Sequence, residues 1–189
     1  MDTSSTTPTL YHYWRSSCSW RGRWALELKN IAYTSIAINL VKNEQNSPAF
    51  LKVNPLGVVP ALVLNNQVYT ESLAIVDLID TFYSGYPIIP QTREERITAL
   101  QIAQIIACDI QPLQNLSVMR RISADITIQK NWSHYWIQKG LETLETIVSK
   151  TAGTYCIGGR VSVADLFLIP QCYNAMRFNI RLENYPILN

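Results

Sequence analysis

The chain has 189 residues, of which 48% are hydrophobic and 16% are charged, and its formal net charge is +2 at pH 7. This is ordinary globular composition, and the length suits one large domain or two small ones. Basic residues form no block longer than the pair Arg120-Arg121. The composition therefore excludes the basic stripe that nucleic-acid binding requires.

The first nine residues are polar and lack the apolar core of a signal peptide, so residues 1–8 are predicted to form a flexible tail. The longest apolar runs, such as residues 58–64, are too short to cross a bilayer. The cysteines show neither a C-x-x-C motif nor metal-ligand spacing. We expect free thiols, no bound metal, and a cytoplasmic protein that contacts neither nucleic acid nor membrane. The cysteines are Cys18 and three predicted to be buried, Cys108, Cys156 and Cys172.

The first half of the chain alternates between strand-like and helix-like segments. Aromatic and β-branched runs predict strands at residues 10–14, 33–38, 59–64 and 67–70. Helical spacing predicts helices from Ser17, around residues 50–53, and after Ser72, which is predicted to cap the last of them. Asn65-Asn66 is predicted to close a hairpin between the third and fourth strands. The resulting order, β-α-β-(α)-β-β-α, is that of a thioredoxin-like domain.

From residue 93 onward the patterns predict helices only. The first begins at Arg93 and is expected to kink or end near Pro112, and another spans roughly residues 128–150. Ser162 and Asp165 have the spacing of a capping box at the start of a further helix. Residues 84–92 contain two prolines and a glycine and are predicted to link two domains. The predicted domain bounds are 9–83 and 93–189.

Two serines and a cysteine, Ser16 to Cys18, lie where the first strand is predicted to end and the first helix to begin. One serine could simply cap the helix, a common role that stabilises a helix by about 1 kcal/mol. A helix N-terminus also stabilises a thiolate placed beside it. In a thioredoxin-like arrangement the Val59-Pro60 bond is expected to be cis. The Val59 backbone would then face this helix and could pair with a bound peptide as an extra strand.

Seven sequence motifs together resemble one protein family, the zeta class of glutathione transferases, also called maleylacetoacetate isomerases. SSC followed by Trp-Arg, and QPLQNLS, are the most specific, whereas VP, ES and the capping box occur in transferases generally. The similarity covers about residues 10–186. The motifs are SSCSWR at 16–21, NP at 54–55, VP at 59–60, ES at 71–72, IQPLQNLSV at 110–118, KTAGTYCIG at 150–158 and VADLFLIPQ at 163–171.

The resemblance implies a two-domain fold, in which a thioredoxin-like α/β domain that binds glutathione precedes an all-helical domain that binds substrate, and it implies a homodimer. The implied reaction is glutathione-dependent isomerisation of maleylacetoacetate to fumarylacetoacetate in tyrosine and phenylalanine breakdown, by reversible thiolate addition. Glutathione would be a regenerated cofactor. Two alternatives stay open: a general transferase that conjugates electrophiles or α-halo acids, and a non-enzymatic interaction module.

The resemblance also implies roles for individual residues. Ser16, Ser17 and Cys18 match the catalytic motif that faces the glutathione sulfur, where one serine would donate a hydrogen bond to the thiolate and lower its pKa. Arg177 is implied to hold the substrate carboxylate. The residues implied to bind the cofactor are Ser16, Ser17, Cys18, Ser19, Trp20, Arg21, Gln45, Val59, Glu71, Ser72, Gln111, Asn115, Leu116 and Ser117.

Three features depart from the family pattern. Gly22 and Trp24 replace small branched residues, so Trp24 is expected to need rearranged packing in the core. Glu71 stands where relatives often carry glutamine and should still accept from the glutathione ammonium. The chain ends at YPILN, where relatives continue with another helical segment, so the helical domain is expected to be short at its C-terminus, with an altered substrate pocket.

Overall fold

The computed structural model describes residues 7–189, so the predicted tail lies outside the described residues except for Thr7 and Pro8. The described residues divide into two compact units, the first ending at Ile88 and the second spanning Ile89–Asn189. Among residues 7–189, no helix combines the length and apolarity needed to span a membrane.

The first unit contains a four-stranded mixed sheet with helices on both faces. The strand order is β2-β1-β3-β4; β1 runs parallel to β2 and antiparallel to β3, and β4 runs antiparallel to β3. The predicted order of elements is confirmed, although most strand ends shift by one or two residues. The elements are β1 (Thr9–His12), α1 (Ser17–Leu28), β2 (Thr34–Ala37), a 3₁₀ turn (Glu44–Asn46), α2 (Pro48–Leu51), β3 (Ala61–Leu64), β4 (Gln67–Thr70) and α3 (Ser72–Phe82).

Alternation along β1 assigns its side chains to the two faces of the sheet. Leu10 is fully buried beneath α1, and a Cβ built on Gly22 of that helix would lie 3.6 Å from its Cδ1 atom. Tyr11 faces the opposite side, where its ring contacts Phe50 of α2 at a centroid distance of 5.8 Å. Helices α1 and α3 pack against each other. The first unit therefore has three layers, with α1 and α3 on one face of the sheet and α2 on the other.

Two local features fix the connections in this unit. Asn65 and Asn66 have φ values of 51° and 62°, the left-handed conformation of a tight hairpin turn, which confirms the predicted hairpin. A buried ion pair joins the C-terminal ends of α1 and α3, with the Lys29 Nζ atom 2.8 Å from the Asp80 Oδ1 atom. Asp80 also accepts a hydrogen bond from the Ile88 backbone N–H at 2.8 Å. These contacts hold the two helices in register.

The described part of the second unit has only helices as regular elements, as the sequence predicts. The first helix ends before Pro112 through a π-helical segment, whose wider turn is seen in the Gln111 N–H to Ile106 C=O bond of 2.9 Å. A helix at Leu116–Ile122, which the sequence does not predict, is separated by a break at residues 123–125 from the helix predicted at about residues 128–150. The elements are α4 (Arg93–Gln104), the π-helix (Ile105–Ile110), α5 (Leu116–Ile122), α6 (Ile126–Val148), α7 (Val163–Arg177) and a 3₁₀ turn (Leu182–Asn184).

The core of the second unit lies among α4, the π-helix, α6 and α7. Gly140 of α6 lets the π-helix approach closely, because a Cβ at that position would overlap the Ile110 side chain. The predicted capping box at the start of α7 is confirmed: the Asp165 carboxylate accepts from the backbone N–H of Ser162 at 2.8 Å. It also accepts from the backbone N–H of Cys156 at 2.9 Å.

Three expectations about single residues are wrong. Ser72 is the first residue of α3 and does not cap it, because the N-cap position belongs to Glu71. Trp24 does not enter the core; it is half-buried on the outer face of α1. Cys108 is exposed, whereas Cys156 and Cys172 are buried as predicted. Cys108 is exposed because it lies with Asp109 on the outward face of the π-helical segment, whereas Ile106 and Ile110 lie on its buried face.

Candidate active site

The N-terminus of α1 carries the three residues of the predicted catalytic motif. Ser16 is the N-cap, and its Oγ atom accepts a hydrogen bond from the Ser19 backbone N–H at 3.1 Å. This bond fixes the hydroxyl oxygen and leaves its proton available to a ligand. Ser17 is buried in the first turn of α1. Cys18 is half-buried. Ser16 thus serves as the helix cap and is also a free donor.

Two other residues of the SSCSWR motif lie beneath this surface. Ser19 is fully buried and accepts from the Tyr13 backbone N–H at 3.2 Å. Arg21 is fully buried too, with its Nη1 atom 3.7 Å from the Cys18 Sγ atom and 3.0 Å from the Ser72 Oγ atom. Burial lowers the pKa of Arg21, and the neighbouring Cys18 opposes that shift. Neither side chain is accessible to a ligand, so both support the site from below.

The N-terminus of α3 forms the second part of the site. Glu71 is exposed and has φ 64° and ψ 118°, a conformation that non-glycine residues rarely adopt. Such outliers persist where surrounding structure imposes them, and they cluster at functional sites. Ser72 follows as the first helical residue, and its hydroxyl, which accepts from Arg21, can still donate outward. Backbone N–H groups at a helix start favour a carboxylate.

Val59 and Gln45 add polar groups that lack partners among the described residues. The Val59-Pro60 bond is cis, as predicted. Within the described residues, neither the N–H nor the C=O of Val59 forms a hydrogen bond. Gln45 donates through its Nε2 atom to the Asn43 Oδ1 atom at 3.0 Å, and its buried Oε1 atom has no partner among residues 7–189. Buried polar groups without partners are uncommon in native proteins and call for an explanation, such as a ligand.

Four predicted site residues of the second unit lie around the turn between the π-helix and α5. Gln111 follows the π-helix and is half-buried, and Asn115 is the N-cap of α5 without a side-chain bond to the helix. Leu116 and Ser117 are exposed in the first turn of α5. The structure therefore gathers these four residues in one short segment.

A buried amide pair, not predicted from the sequence, holds this turn. The Gln114 Nε2 atom donates to the Gln171 Oε1 atom of α7 at 2.8 Å, and the Gln171 Nε2 atom returns a bond of 3.3 Å. The Trp132 indole N–H of α6 donates to the Leu113 carbonyl at 2.8 Å. The turn is thereby fixed to two helices. Arg177, the predicted substrate ligand, is exposed at the end of α7, with its Nη1 atom 3.4 Å from the Asn174 Oδ1 atom.

The remaining member of the motif, Trp20, is half-buried. It lines an open groove with Trp24 and three residues that include both charge signs; the lining residues are Trp20, Arg23, Trp24, Glu27 and Tyr33. Among residues 7–189 no group of three or more His, Cys, Asp or Glu side chains is placed to hold a metal ion.

Comparison with known proteins adds to this geometry. Residues 10–87 match the family model of the glutathione S-transferase N-terminal domain. A probable maleylacetoacetate isomerase 2 of Drosophila melanogaster is 41% identical over 187 residues, covering 98% of this chain and 82% of the relative. A maleylacetoacetate isomerase of Mus musculus is 41% identical and covers 96% and 84%.

Solved structures show the same similarity. A maleyl pyruvate isomerase, a bacterial glutathione S-transferase of the zeta class, superposes with a TM-score of 0.91 at 33% identity, covering 95% of this chain and 88% of that one. A maleylacetoacetate isomerase from Anaeromyxobacter dehalogenans, solved with bound glutathione in its active site, gives a TM-score of 0.88 at 34% identity, covering 99% and 88%. The chain therefore belongs to the zeta-class glutathione transferases, the family of the maleylacetoacetate isomerases.

Proposed function

We propose that the protein isomerises maleylacetoacetate to fumarylacetoacetate with glutathione as cofactor. It is an enzyme of the maleylacetoacetate isomerase and glutathione transferase kind. One observation supports the assignment of its site: Arg21 contacts Cys18, in the first turn of the helix that Ser16 caps, and Ser72, the first residue of α3. When bound, glutathione supplies a thiolate that adds reversibly to a cis double bond.

The unsatisfied groups of the first unit fit an extended tripeptide. The Val59 backbone N–H and C=O offer the pair of hydrogen bonds that a neighbouring strand would make, which suits the cysteinyl residue. Ser72 and the α3 N-terminus suit the γ-glutamyl carboxylate, while the Glu71 carboxylate suits the ammonium group. The Gln45 Oε1 atom is a buried acceptor for a backbone N–H of the ligand.

We assign the thiolate-stabilising hydrogen bond to Ser16. Its oxygen is held by the Ser19 N–H, so its proton is the remaining donor, and the partial positive charge of the α1 N-terminus adds to the effect. Ser17 lies deeper, and Cys18 assists from the next position, where Arg21 orients its sulfur. Donors fixed before the reaction stabilise developing negative charge without reorganising during it.

For the second unit we propose the substrate-binding role. Arg177 offers an exposed guanidinium to the carboxylates of an acidic substrate, and the turn containing Gln111, Asn115, Leu116 and Ser117 offers further contacts. We also propose the domain bounds 9–83 and 93–189, a homodimer, and a cytoplasmic location. Sedimentation equilibrium of the purified chain tests the dimer directly.

The test is isomerisation of maleylacetone, a stable analogue of the substrate, with and without glutathione. We expect turnover that requires glutathione and leaves its concentration unchanged. Arg177→Gln should raise KM at least about tenfold, because a charge-assisted bond contributes roughly 1.5–3 kcal/mol. Arg181→Gln, an exposed arginine nearby in the chain, is the matched control. Steady consumption of glutathione would indicate a conjugating transferase instead, and absence of both turnover and glutathione binding would refute the proposal.

A further inference from the structure

Arg21 links two helix N-termini that are far apart in sequence. Cys18 precedes it by three residues on α1 and therefore lies on the same helix face, whereas Ser72 begins α3, 51 residues later. The Nη1 atom lies within 3.0 Å of the Ser72 Oγ atom and 3.7 Å of the Cys18 Sγ atom. One nitrogen thus contacts both parts of the candidate glutathione site.

This placement is electrostatically unusual. An arginine side chain stays charged in proteins, and moving a cation into a protein interior is costly. The guanidinium contacts side chains of Cys18, in the first turn of α1, and of Ser72, the first residue of α3, and helix starts carry partial positive charge. The guanidinium and the two helix starts therefore add their positive charges. They favour anions at both helix starts, where we place the thiolate and the γ-glutamyl carboxylate of glutathione.

We propose that Arg21 is a positioning residue that couples the thiol end of the glutathione site to its γ-glutamyl end. The proposal rests on the function proposed above, because it takes Cys18 and Ser72 as the residues at those two ends. Arg21 itself is fully buried and acts only through them. Through Arg21, a change at one helix start alters the position of the hydroxyl or thiol at the other.

A purely structural arginine would fill space without coupling the two ends, so the coupling is the quantity to measure. Glutathione affinity is determined by titration calorimetry for the unmodified protein, Cys18→Ala, Ser72→Ala and the double variant. We expect each single substitution to weaken binding. The double variant should depart from the product of the two effects by at least about twofold, the lower end of coupling between residues in one network.

The same cycle is repeated in an Arg21→Gln background, and in Arg21→Lys in case the glutamine variant does not fold. In both backgrounds the change in glutathione affinity of the double variant should equal the product of the two single changes, since neither side chain keeps an Nη1 atom between Cys18 and Ser72. Arg23→Gln is the matched control, because Arg23 lies two residues along α1 but donates to the Tyr13 and Trp14 carbonyls. That variant should retain the departure.

If the affinity change of the double variant equals the product of the two single changes when Arg21 is present, the coupling is refuted and the proposed function still stands. If the double variant departs from that product equally in the Arg21 variants, the coupling through Arg21 is also refuted, because glutathione itself would then couple the two ends of its site. If neither Cys18→Ala nor Ser72→Ala changes the affinity, the assignment of both residues to the glutathione site fails together with the coupling.

Discussion

Substitutions of Ser16 distinguish its role as helix cap from its proposed role as hydrogen-bond donor to the thiolate, because glycine and alanine differ as helix caps. Ser16→Ala removes the bond to the Ser19 N–H and should lower the free energy of unfolding by about 1 kcal/mol, whereas Ser16→Gly should lower it by only a few tenths. For a chain of this size, about 1 kcal/mol corresponds to roughly 2–4 °C in Tm. Thermal unfolding of the two variants therefore measures the cap alone.

Both variants lack the hydroxyl that we assign to the thiolate. A hydrogen bond to a charged group contributes roughly 1.5–3 kcal/mol. At about 1.4 kcal/mol per pKa unit, its loss should raise the pKa of the glutathione thiol in the complex by one to two units. The assay is a pH titration of the ultraviolet absorbance of the bound thiolate. A glutathione thiol pKa in Ser16→Gly that equals the value in the unmodified protein, or the full rise in Ser17→Ala alone, would refute our assignment of Ser16.

Three further predictions concern strain, thiol reactivity and the buried ion pair. Glu71→Gly should raise the free energy of unfolding by about 1 kcal/mol, because glycine relieves the strain of the positive φ, and it should weaken glutathione binding. Glu71→Ala should weaken glutathione binding without raising the free energy of unfolding. Urea unfolding measures the stability of both variants, and titration calorimetry measures their glutathione affinity. Burial raises the pKa of Cys172 to about 12 and also raises that of Cys156. At about pH 8 a thiol reagent should therefore label two of the four cysteines rapidly and all four after denaturation. Rapid labelling of a third thiol in the folded protein would contradict this. Asp80→Ala leaves Lys29 buried without its carboxylate and should lower the free energy of unfolding in urea by about 3 kcal/mol. Adding Lys29→Met to this variant should restore most of the lost stability. A loss below about 1 kcal/mol in Asp80→Ala would show that the ion pair is solvated.

Sequence patterns predict the fold well where the signal is local. The aromatic and β-branched strand runs, the Asn65-Asn66 turn and the Ser162-Asp165 capping box each depend on a few consecutive residues, and the structure contains all of them. The patterns fail where tertiary contacts decide. Trp24 has the spacing of an apolar helix face, but that face of α1 is not covered by other described residues of its unit.

The candidate site likewise combines local features that the sequence predicts with long-range contacts that it does not. The SSC motif was recognisable because a helix start beside a strand end is a local feature, and Ser16 does cap α1. The contact between Arg21 and Ser72 spans 51 residues, and that between Gln114 and Gln171 spans 57. A single sequence carries no signal for such pairs, because any buried polar residue has many candidate partners until the helices are packed. The strained conformation of Glu71 is equally invisible before the backbone is traced.

The π-helix at Ile105–Ile110 has a consequence for how the chain can change over evolution. Successive residues of an α-helix turn by about 100°, and the wider turn of the π-helix takes up one extra residue, so regular winding of the same number of residues would rotate everything that follows by about that angle. Ile110 would leave its place against Gly140, and the turn with Gln111 and Asn115 would point elsewhere. The wider turn therefore keeps the direction of the following turn despite one extra residue, and lineages that lose one residue in this segment should wind it as a regular α-helix and keep the same direction.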